Sequence, residues 1–351
     1  MIESFDIENF RCFEQASLKD LRTINIIVGD NASGKTALGE ALIMAASVHP
    51  ALATRIRMAR NRPVPDQMAW NRTSFESFWE DLFFDFDTSK KIKMRFYDSL
   101  KDKYEVEIYY DKSQPVHMGT LLTGGGPIAP LIFNRIGKLG KLETVKLEID
   151  EKGAIKFEGN MEALPNFYAF ASTQQYYTTD IINYFSELSQ KGEVDIIVKA
   201  FQKEFPQIDD ISILLDATMP SLFATLKHIK DIKVPLTIVS AGAAKYLNIL
   251  LAVAFVKNGI VMIDEIENGI YWKKMPNVWK TLRNFCHNNG VQLFATTHSN
   301  ECLQALLPAM DKNVEDFSLI RTEINDKGEY KIRQFYGKSF KAALVMRGEV
   351  R

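Results

Sequence analysis

Eight consecutive residues near the N-terminus, residues 29–36, have the types and spacing of a phosphate-binding loop. They fit the pattern G-x-x-x-x-G-K-[ST], which ends here in Gly34, Lys35 and Thr36. Backbone N–H groups of such a loop turn inward around a phosphate, and the start of a following helix adds a favourable dipole. Lys35 would reach the β- and γ-phosphates of a nucleotide, and the Thr36 hydroxyl would hold Mg²⁺.

The flanking residues predict the elements that such a loop needs. Residues 24–28 are an apolar run typical of a short buried strand, and residues 36–45 are rich in the helix formers Ala, Leu and Met. A strand would therefore deliver the chain into the loop, and a helix would leave it. We expect these loop residues to bind the nucleotide: Gly29, Asn31, Ala32, Ser33, Gly34, Lys35 and Thr36.

Two later apolar runs end in polar side chains and predict the rest of the site. Residues 260–263 lead into Asp264 and Glu265, and residues 291–297 lead into His298. If the strands are parallel, their ends open onto one crevice. Asp264 would hold Mg²⁺, Glu265 would polarise an attacking water, and His298 would contact the γ-phosphate or that water. A solvated acidic turn and a structural histidine are the alternatives.

A further candidate, the signature segment (residues 239–245), stands immediately before the longest predicted helix. Its Ser240 and Gly242 could form an ordinary helix N-cap. They could equally present a hydroxyl and N–H groups to a phosphate. The residue types alone leave both interpretations open.

Four elements follow one another along the chain: the phosphate loop, the signature segment, the acidic pair and His298. In this order they resemble the heads of ABC-type ATPases. The branch in question holds the RecF, SMC and overcoming-lysogenisation-defect (OLD) proteins and is often labelled AAA-family. The resemblance covers residues 1–45 and about 235–325. Residues 7–13 resemble the family's N-terminal strand-turn motif, which implies that Arg11 binds the cofactor. Asn31 suits the family's phosphate loop.

The same resemblance assigns roles to the later segments. Ser240 and Gly242, followed by Lys245, resemble the signature motif, which contacts the ATP of the other protomer. The acidic pair corresponds to Walker B, residues 267–269 resemble the D-loop, and His298 resembles the switch histidine. The chain departs from the family pattern near these motifs, which leaves the D-loop contact open: Val239 replaces Leu, Ala241 replaces Gly, Ile266 replaces Pro, and Tyr271-Trp272 replaces His-Pro.

A Q-loop glutamine is also implied by the resemblance. It should follow the strand predicted at residues 167–171. Gln174 is the candidate, with Gln175 and Gln67 as alternatives.

The order of elements predicts an α/β fold, and the resemblance implies a P-loop NTPase of ABC-ATPase type. We expect a mixed core sheet, an added antiparallel β-subdomain and a helical lobe. Residues 1–172 would form the N-terminal part of the nucleotide-binding lobe, with a helical insertion at about 47–90. Residues 173–232 would form the helical lobe. Residues 233–351 would complete the nucleotide-binding lobe, beginning with a strand at 234–239.

Composition limits the possible partners. The chain has 351 residues, of which 46% are hydrophobic, and its 43 basic residues balance 44 acidic ones. This balance gives no global attraction to nucleic acid or to an anionic membrane. Its three cysteines fit no metal or disulfide spacing, the N-terminus does not resemble a signal peptide, and the longest apolar run, residues 249–256, is too short to span a bilayer. We therefore expect a cytoplasmic protein with no membrane partner.

The resemblance implies ATP and Mg²⁺ as cofactors, ATP hydrolysis, and a two-fold homodimer that sandwiches ATP. The sequence shows neither sustained heptads nor a metal-binding nuclease segment after His298. A separate effector, a nuclease or toxin, is therefore expected, as in bacterial anti-phage systems. The alternative is a RecF-like DNA-repair ATPase. One basic cluster supports nucleic-acid binding: Arg55, Arg57, Arg60, Arg62 and Arg72.

Overall fold

Three sheets and the helices around them make up the computed structural model. It describes residues 1–46, 51–59, 72–113, 128–150, 154–159, 168–171, 178–311 and 313–346. The strands are β1 (Ile2–Phe10), β2 (Phe13–Leu18), β3 (Ile24–Gly29), β4 (Ile92–Asp98), β5 (Lys103–Tyr110), β6 (Leu131–Ile136), β7 (Leu142–Ile149), β8 (Ile155–Gly159), β9 (Tyr168–Ala171), β10 (Ile208–Asp216), β11 (Met219–Leu226), β12 (Ile229–Pro235), β13 (Ile260–Ile263), β14 (Gln292–Thr296), β15 (Phe317–Ile324) and β16 (Tyr330–Tyr336).

The described residues contain eleven α-helices. They are α1 (Lys35–Ala46), α2 (Ala51–Ala59), α3 (Arg72–Trp79), α4 (Thr178–Gln190), α5 (Val194–Glu204), α6 (Leu236–Val239), α7 (Ala241–Phe255), α8 (Met275–Asn289), α9 (Asn300–Gln304), α10 (Leu307–Met310) and α11 (Gly337–Val345). Within the described ranges, no helix is both long and apolar enough to cross a bilayer.

The core sheet has the strand order β16-β15-β3-β14-β13-β9. Its last five strands run parallel, and β16 is antiparallel to β15 at one edge. Ala295 of β14 pairs with Ile26 on one side and with Ile263 on the other. The carboxyl ends of β3, β13 and β14 therefore meet at one edge of the sheet, as the sequence predicted.

Two hydrophobic clusters cover the two faces of the core sheet. Ile26 and Leu293 pack into the cluster that contains α7 and α8. Ile27 and Phe294, the next residues along, pack into the cluster that contains α1 and the seven-stranded sheet. Side chains of successive strand residues point to opposite faces, so a nearly continuous apolar run is required here. This explains why β3, β13 and β14 were recognisable from the sequence.

The second sheet is the predicted antiparallel subdomain, with the order β2-β1-β4-β5-β6-β7-β8. Strand β6 was not predicted. The buried Gln292 joins this sheet to the core: its amide accepts a hydrogen bond from the backbone N–H of Ile2 and donates one to the Ile2 carbonyl, each 2.8 Å long. The mixed core sheet and the added antiparallel sheet confirm the expected fold class.

The segment predicted as a helical lobe, 173–232, contains more than helices. Helices α4 and α5 are followed by a three-stranded antiparallel sheet, β10-β11-β12. The strand predicted at 234–239 holds only for its first two residues: β12 ends at Pro235, and residues Leu236–Val239 form the short helix α6. The apolar, β-branched residues of this run favour a strand. In the structure, however, Leu236 is the buried residue of α6, and this short helix leads directly into α7.

Smaller differences lie near the C-terminus. The helix predicted over residues 300–310 is divided into α9 and α10, with Pro308 at the start of the second piece. Helix α11, which packs Phe340 and Leu344 into the core, was not predicted.

Candidate nucleotide-binding site

The phosphate loop lies between the end of β3 and the start of α1. Its backbone is left-handed or mirror-extended at three residues: Gly29 has φ +145°, Ala32 +63° and Gly34 +97°. Two of these also lack room for a side chain. A Cβ on Gly29 would lie 2.1 Å from the Thr322 carbonyl oxygen, and one on Gly34 would lie 2.9 Å from the Phe13 ring. The glycines are therefore needed both for conformation and for space.

The loop is supported by a residue that the sequence analysis did not identify. Thr322, buried on β15, hydrogen-bonds through Oγ1 to Ser33 Oγ at 2.7 Å and donates to the Val28 carbonyl at 3.2 Å. It links β15 to the end of β3 and to the middle of the loop. No local motif marks such a residue, because β15 contains other polar side chains as well.

Lys35 lies folded over its own loop. It is 6% exposed, and its Nζ donates hydrogen bonds to the carbonyl oxygens of Gly29 (2.9 Å) and Asp30 (2.6 Å). Burial lowers the pKa of Lys35, and the charges of Asp264 and Asp30 oppose that shift. The structure thus brings Lys35 near the acidic pair, as predicted. It also holds the ammonium among backbone acceptors where a phosphate would bind.

The acidic pair at the end of β13 is held by a threonine at the end of the neighbouring strand. Thr296, fully buried on β14, donates from Oγ1 to Asp264 Oδ1 at 2.6 Å and accepts the backbone N–H of Glu265 at 2.7 Å. Glu265 has φ +47°, an uncommon conformation for a non-glycine residue. This contact fixes the turn by which the two carboxylates leave the sheet.

The acidic turn (residues 264–270) continues into contacts with the predicted switch histidine. The Glu265 carboxylate accepts a hydrogen bond from the Asn268 amide. Glu267 Oε1 accepts the backbone N–H of His298 at 2.8 Å, and the His298 side chain is exposed. Glu267 was identified only as part of the D-loop region. The structure shows that it anchors the backbone of His298 to the acidic turn.

The signature segment opens α7 with a side-chain cap. Ser240 Oγ accepts the backbone N–H of Ala243 at 3.2 Å, so the N-cap interpretation is correct in this structure. Gly242 packs against the acidic turn of its own chain: a Cβ there would lie only 1.8 Å from the Gly269 carbonyl oxygen. Gly242 therefore has a structural reason to be glycine, which the motif alone did not reveal.

Lys245 follows in the next turn of α7 and is 3% exposed. Its Nζ donates a hydrogen bond to the carbonyl oxygen of Glu265. Burial lowers the pKa of Lys245 to about 8, against the opposing charges of Glu267, Glu265 and Asp264. A second buried lysine thus contacts the acidic turn, from a helix that packs in a different hydrophobic cluster from α1.

A cavity of about 220 Å³ lies beside the phosphate loop. Its lining joins three parts of the described chain: Val28, Gly29, Asp30 and Asn31 from the loop, Thr297 and His298 after β14, and Leu303 from α9. Among the described residues, neither Ser240 nor Gly242 lines it. Of the described residues, Lys35, Thr36, Asp264 and Glu265 do not line it either, so the cavity joins only the first part of the phosphate loop to His298.

Two further predictions concerned Arg11 and the Q-loop glutamine. Arg11, with φ +51°, forms ion pairs with Glu40 of α1 (2.7 Å) and with Asp81, so a contact with nucleotide would require these pairs to open. Gln174 and Gln175 lie in residues 172–177 and Gln67 in residues 60–71, outside the described residues.

One arginine of the basic cluster, Arg57, is buried and is therefore not available to bind nucleic acid. Arg57 is 1% exposed, pairs with Asp81 at 2.5 Å and stacks over the Phe78 ring at 3.7 Å. Arg60 and Arg62 lie outside the described residues, as do the side chains of the other two arginines. Arg57 is a core residue and cannot contact DNA from this position.

Two families of known description match parts of this chain. Residues 1–118 match a family described as "AAA ATPase domain". Residues 130–303 match one described as "AAA domain, putative AbiEii toxin, Type IV TA system". The first match contains the phosphate loop, and the second contains the signature segment, the acidic turn and His298.

Individual proteins are also similar to this chain. An "ATP/GTP phosphatase" of Helicobacter pylori is 25% identical over 328 residues, 87% of each chain. The "DNA replication and repair protein RecF" of Hydrogenovibrio crunogenus is 54% identical over 46 residues, 13% of each chain. Among solved structures, an SMC head bound to the C-winged helix domain of ScpA has 13% identity and a TM-score of 0.48, covering 96% of this chain and 98% of that one. From the phosphate-loop geometry, the two family matches and the phosphatase relative, we conclude that this chain is an ATPase.

Proposed function

We propose that the chain works as an ABC-type ATPase, in which ATP lies between the phosphate loop of one copy and the signature segment of a second. The observation that carries this proposal is the shared sheet edge: the parallel strands β3, β13 and β14 end beside one another and bring the phosphate loop, the acidic pair and His298 together, whereas Ser240 caps its own helix. The cavity beside the phosphate loop, of about 220 Å³, is below the roughly 300–1,000 Å³ typical of pockets that enclose a small-molecule ligand. A second copy would supply the missing wall, in a head-to-tail pair with two-fold symmetry.

The oxygen donors near the loop fit Mg²⁺. Thr36 begins α1 beside Lys35, and Asp264 keeps one carboxylate oxygen, Oδ2, outside its bond with Thr296. The described residues contain no group of three or more His, Cys, Asp or Glu side chains suited to a metal. Mg²⁺ bound with a nucleotide takes one or two protein oxygens together with phosphate oxygens and waters, so it needs no such group. Thr36 and Asp264 would supply its protein oxygens. When bound, Mg²⁺ would neutralise charge on the β- and γ-phosphates.

The reaction is hydrolysis of the terminal phosphoanhydride. Glu265 would orient the water and accept its proton as the water oxygen bonds to the γ-phosphorus; the bond from that phosphorus to the ADP oxygen breaks, giving ADP and phosphate. Lys35 would leave the carbonyl oxygens of Gly29 and Asp30 and donate to the phosphates. His298 would donate to the γ-phosphate or hold the water.

Ser240 of the partner copy would add a hydroxyl donor to the same phosphate. ATP held across the interface would stabilise the pair by linkage, and hydrolysis would release it. The output would pass to a separate effector protein, a nuclease or toxin, in bacterial anti-phage defence. The description of the second matched family names a putative AbiEii toxin of a type IV toxin–antitoxin system, which supports a connection with a toxin but names no separate effector.

A RecF-like role in DNA repair is the second candidate. The 46-residue match to RecF favours it, and the burial of Arg57 weighs against the basic cluster as a DNA contact. Stoichiometric co-purification with the product of a neighbouring gene would favour the effector. Steeply salt-dependent DNA binding would favour repair.

Mixing two inactive variants tests whether the site is shared between copies. Lys35→Met removes the phosphate-loop cation. Ser240→Asp keeps a good N-cap for α7 but places a negative charge toward the partner's phosphate. Each variant alone should be inactive. Their mixture should recover about a quarter of the wild-type rate, because half of the random pairs would hold one intact site of two.

The control for charge is Ser240→Asn, which also caps the helix and should keep more activity than Ser240→Asp. A mixture that stays as inactive as its components would contradict the shared site. Full activity of Ser240→Asp alone would do the same.

A further inference from the structure

We infer that Lys245 is a positioning residue that holds the backbone of Glu265 and couples it to the signature segment. The inference rests on the proposed roles of Glu265 and of the signature segment. It assigns to Lys245 a task within its own chain, in addition to the partner contacts proposed for Ser240 and Gly242.

The first observation is the contact between Lys245 and Glu265. Lys245 is 3% exposed, and its Nζ donates to the Glu265 carbonyl oxygen, 20 residues farther along the chain. The same oxygen accepts the backbone N–H of Asn268 at 3.0 Å. Burying an ammonium is costly unless it is hydrogen-bonded and near opposite charge, so its place here is well defined.

The second observation is the conformation of Glu265. At φ +47° its backbone occupies a region that a non-glycine residue keeps only when its surroundings hold it there. Its N–H is bound by Thr296 of β14, its carboxylate by Asn268 of the same turn, and its carbonyl by Lys245. Of these three contacts, only the Lys245 contact comes from the helix that the signature segment opens.

The third observation is a close contact at the other end of the acidic turn. Gly242 lies so close to the Gly269 carbonyl oxygen that a Cβ on Gly242 would be only 1.8 Å from it. Helix α7 therefore holds the acidic turn at two points, Gly269 and Glu265, within its first two turns. A shift in the start of α7, when Ser240 engages the partner's ATP, would move both points together. Glu265 in one site would thereby respond to the nucleotide in the other.

A merely structural alternative is that Lys245 only balances charge. Glu267, Glu265 and Asp264 all lie near enough to favour its charged form. That role would affect folding and nucleotide binding, whereas the positioning role should affect turnover. The two roles can therefore be separated by kinetics.

Lys245→Met tests this, because it removes the donor and keeps much of the side-chain volume. We expect kcat to fall about 10- to 100-fold, since small misplacement of a catalytic group costs rates of that order, with the KM for ATP within about two-fold of wild type. Lys245→Arg, which restores a buried donor, should recover part of kcat. Lys257→Met is the matched control, because Lys257 follows α7 and, within the described part of the chain, its hydrogen bonds to Glu193 and Asn289 are exposed.

If Lys245→Met does not fold, Lys245→Leu, which also removes the donor, is measured instead, with the same expected fall in kcat. The decisive comparison adds the Lys245 substitution to Glu265→Gln. If Lys245 acts through Glu265, the double variant should be no slower than Glu265→Gln alone. Multiplying losses, or a raised KM with unchanged kcat, would overturn the inference. Failure of Glu265→Gln to dimerise with ATP would instead contradict the proposed function. The turnover rates of the double variant and of Glu265→Gln alone could still be compared in that case.

Discussion

Two segments of this ATPase look alike in sequence and differ in what holds them. The phosphate loop and the signature segment each bring a glycine and a lysine to the start of a helix. In the phosphate loop, Lys35 reaches carbonyl oxygens five and six residues away. In the signature segment, Lys245 reaches a carbonyl oxygen 20 residues away, on another element.

The glycines differ in the same way. Gly34 has φ +97°, a conformation that the loop itself demands. Gly242 lies inside a helix, and it is glycine because the Gly269 carbonyl leaves no room for a Cβ. The phosphate loop is thus specified by local backbone geometry, and the signature segment by a tertiary contact. Substitutions in the phosphate loop should therefore impair nucleotide binding. Substitutions in the signature segment should instead impair its coupling to the acidic turn.

The largest effect is expected from Lys35→Met. This change removes the cation nearest the transferring phosphate, and losing one such electrostatic contact typically costs about 100- to 1,000-fold in rate. Phosphate release and binding of a fluorescent ATP analogue would both fall, in contrast with Lys245→Met, which should spare binding. Equal binding defects in the two variants would remove the distinction between the segments.

Gly242→Ala should have an intermediate effect. The added methyl group would meet the Gly269 carbonyl at 1.8 Å, and overpacking of this kind costs about 1–3 kcal/mol of the free energy of unfolding. Urea unfolding measures the loss. Gly137→Ala is the matched control, since the nearest atom to its added Cβ lies 3.8 Å away. An unchanged Gly242→Ala variant would show that the contact between the two glycines is easily relaxed.

Thr322→Val should have the smallest effect. It keeps the shape of the side chain and removes the hydrogen bonds to Ser33 and Val28, at a cost of about 1–2 kcal/mol of unfolding free energy. The phosphate loop would be less well held, so we expect the KM for ATP to rise a few-fold. Thr322→Ser, which keeps the hydroxyl, should behave like the wild type. If both variants behave alike, the support of the loop does not depend on this hydroxyl.

Much of the site could be predicted because its chemistry follows from short-range rules. An apolar run, a glycine-rich loop and a helix follow one another directly, so β3, residues 29–36 and α1 were recognised together. The acidic pair and His298 were placed at the same sheet edge because parallel buried strands align their ends. The structure agrees, with Ile263 level with Ala295 and Ala295 level with Ile26.

The contacts that stabilise these parts could not be predicted. Thr296, Thr322 and Glu267 act on residues that neighbour them only after folding, and no spacing in the chain records this. Residues 208–235 were also missed as a sheet, because many of their apolar side chains, such as Leu215 and Met219, are exposed and give a weak alternating pattern. Arg57 shows the opposite error: a charge that looked like a surface contact is buried against Asp81.

The most direct test of the account is the mass of Glu265→Gln with saturating ATP and Mg²⁺. This substitution removes the proton acceptor and keeps both halves of the shared site, so the ATP-bound pair should accumulate. Light scattering after size exclusion should give about twice the 40.0 kDa chain mass with ATP, and the chain mass itself without nucleotide. A 40.0 kDa species that binds ATP tightly and remains a monomer would contradict the shared site.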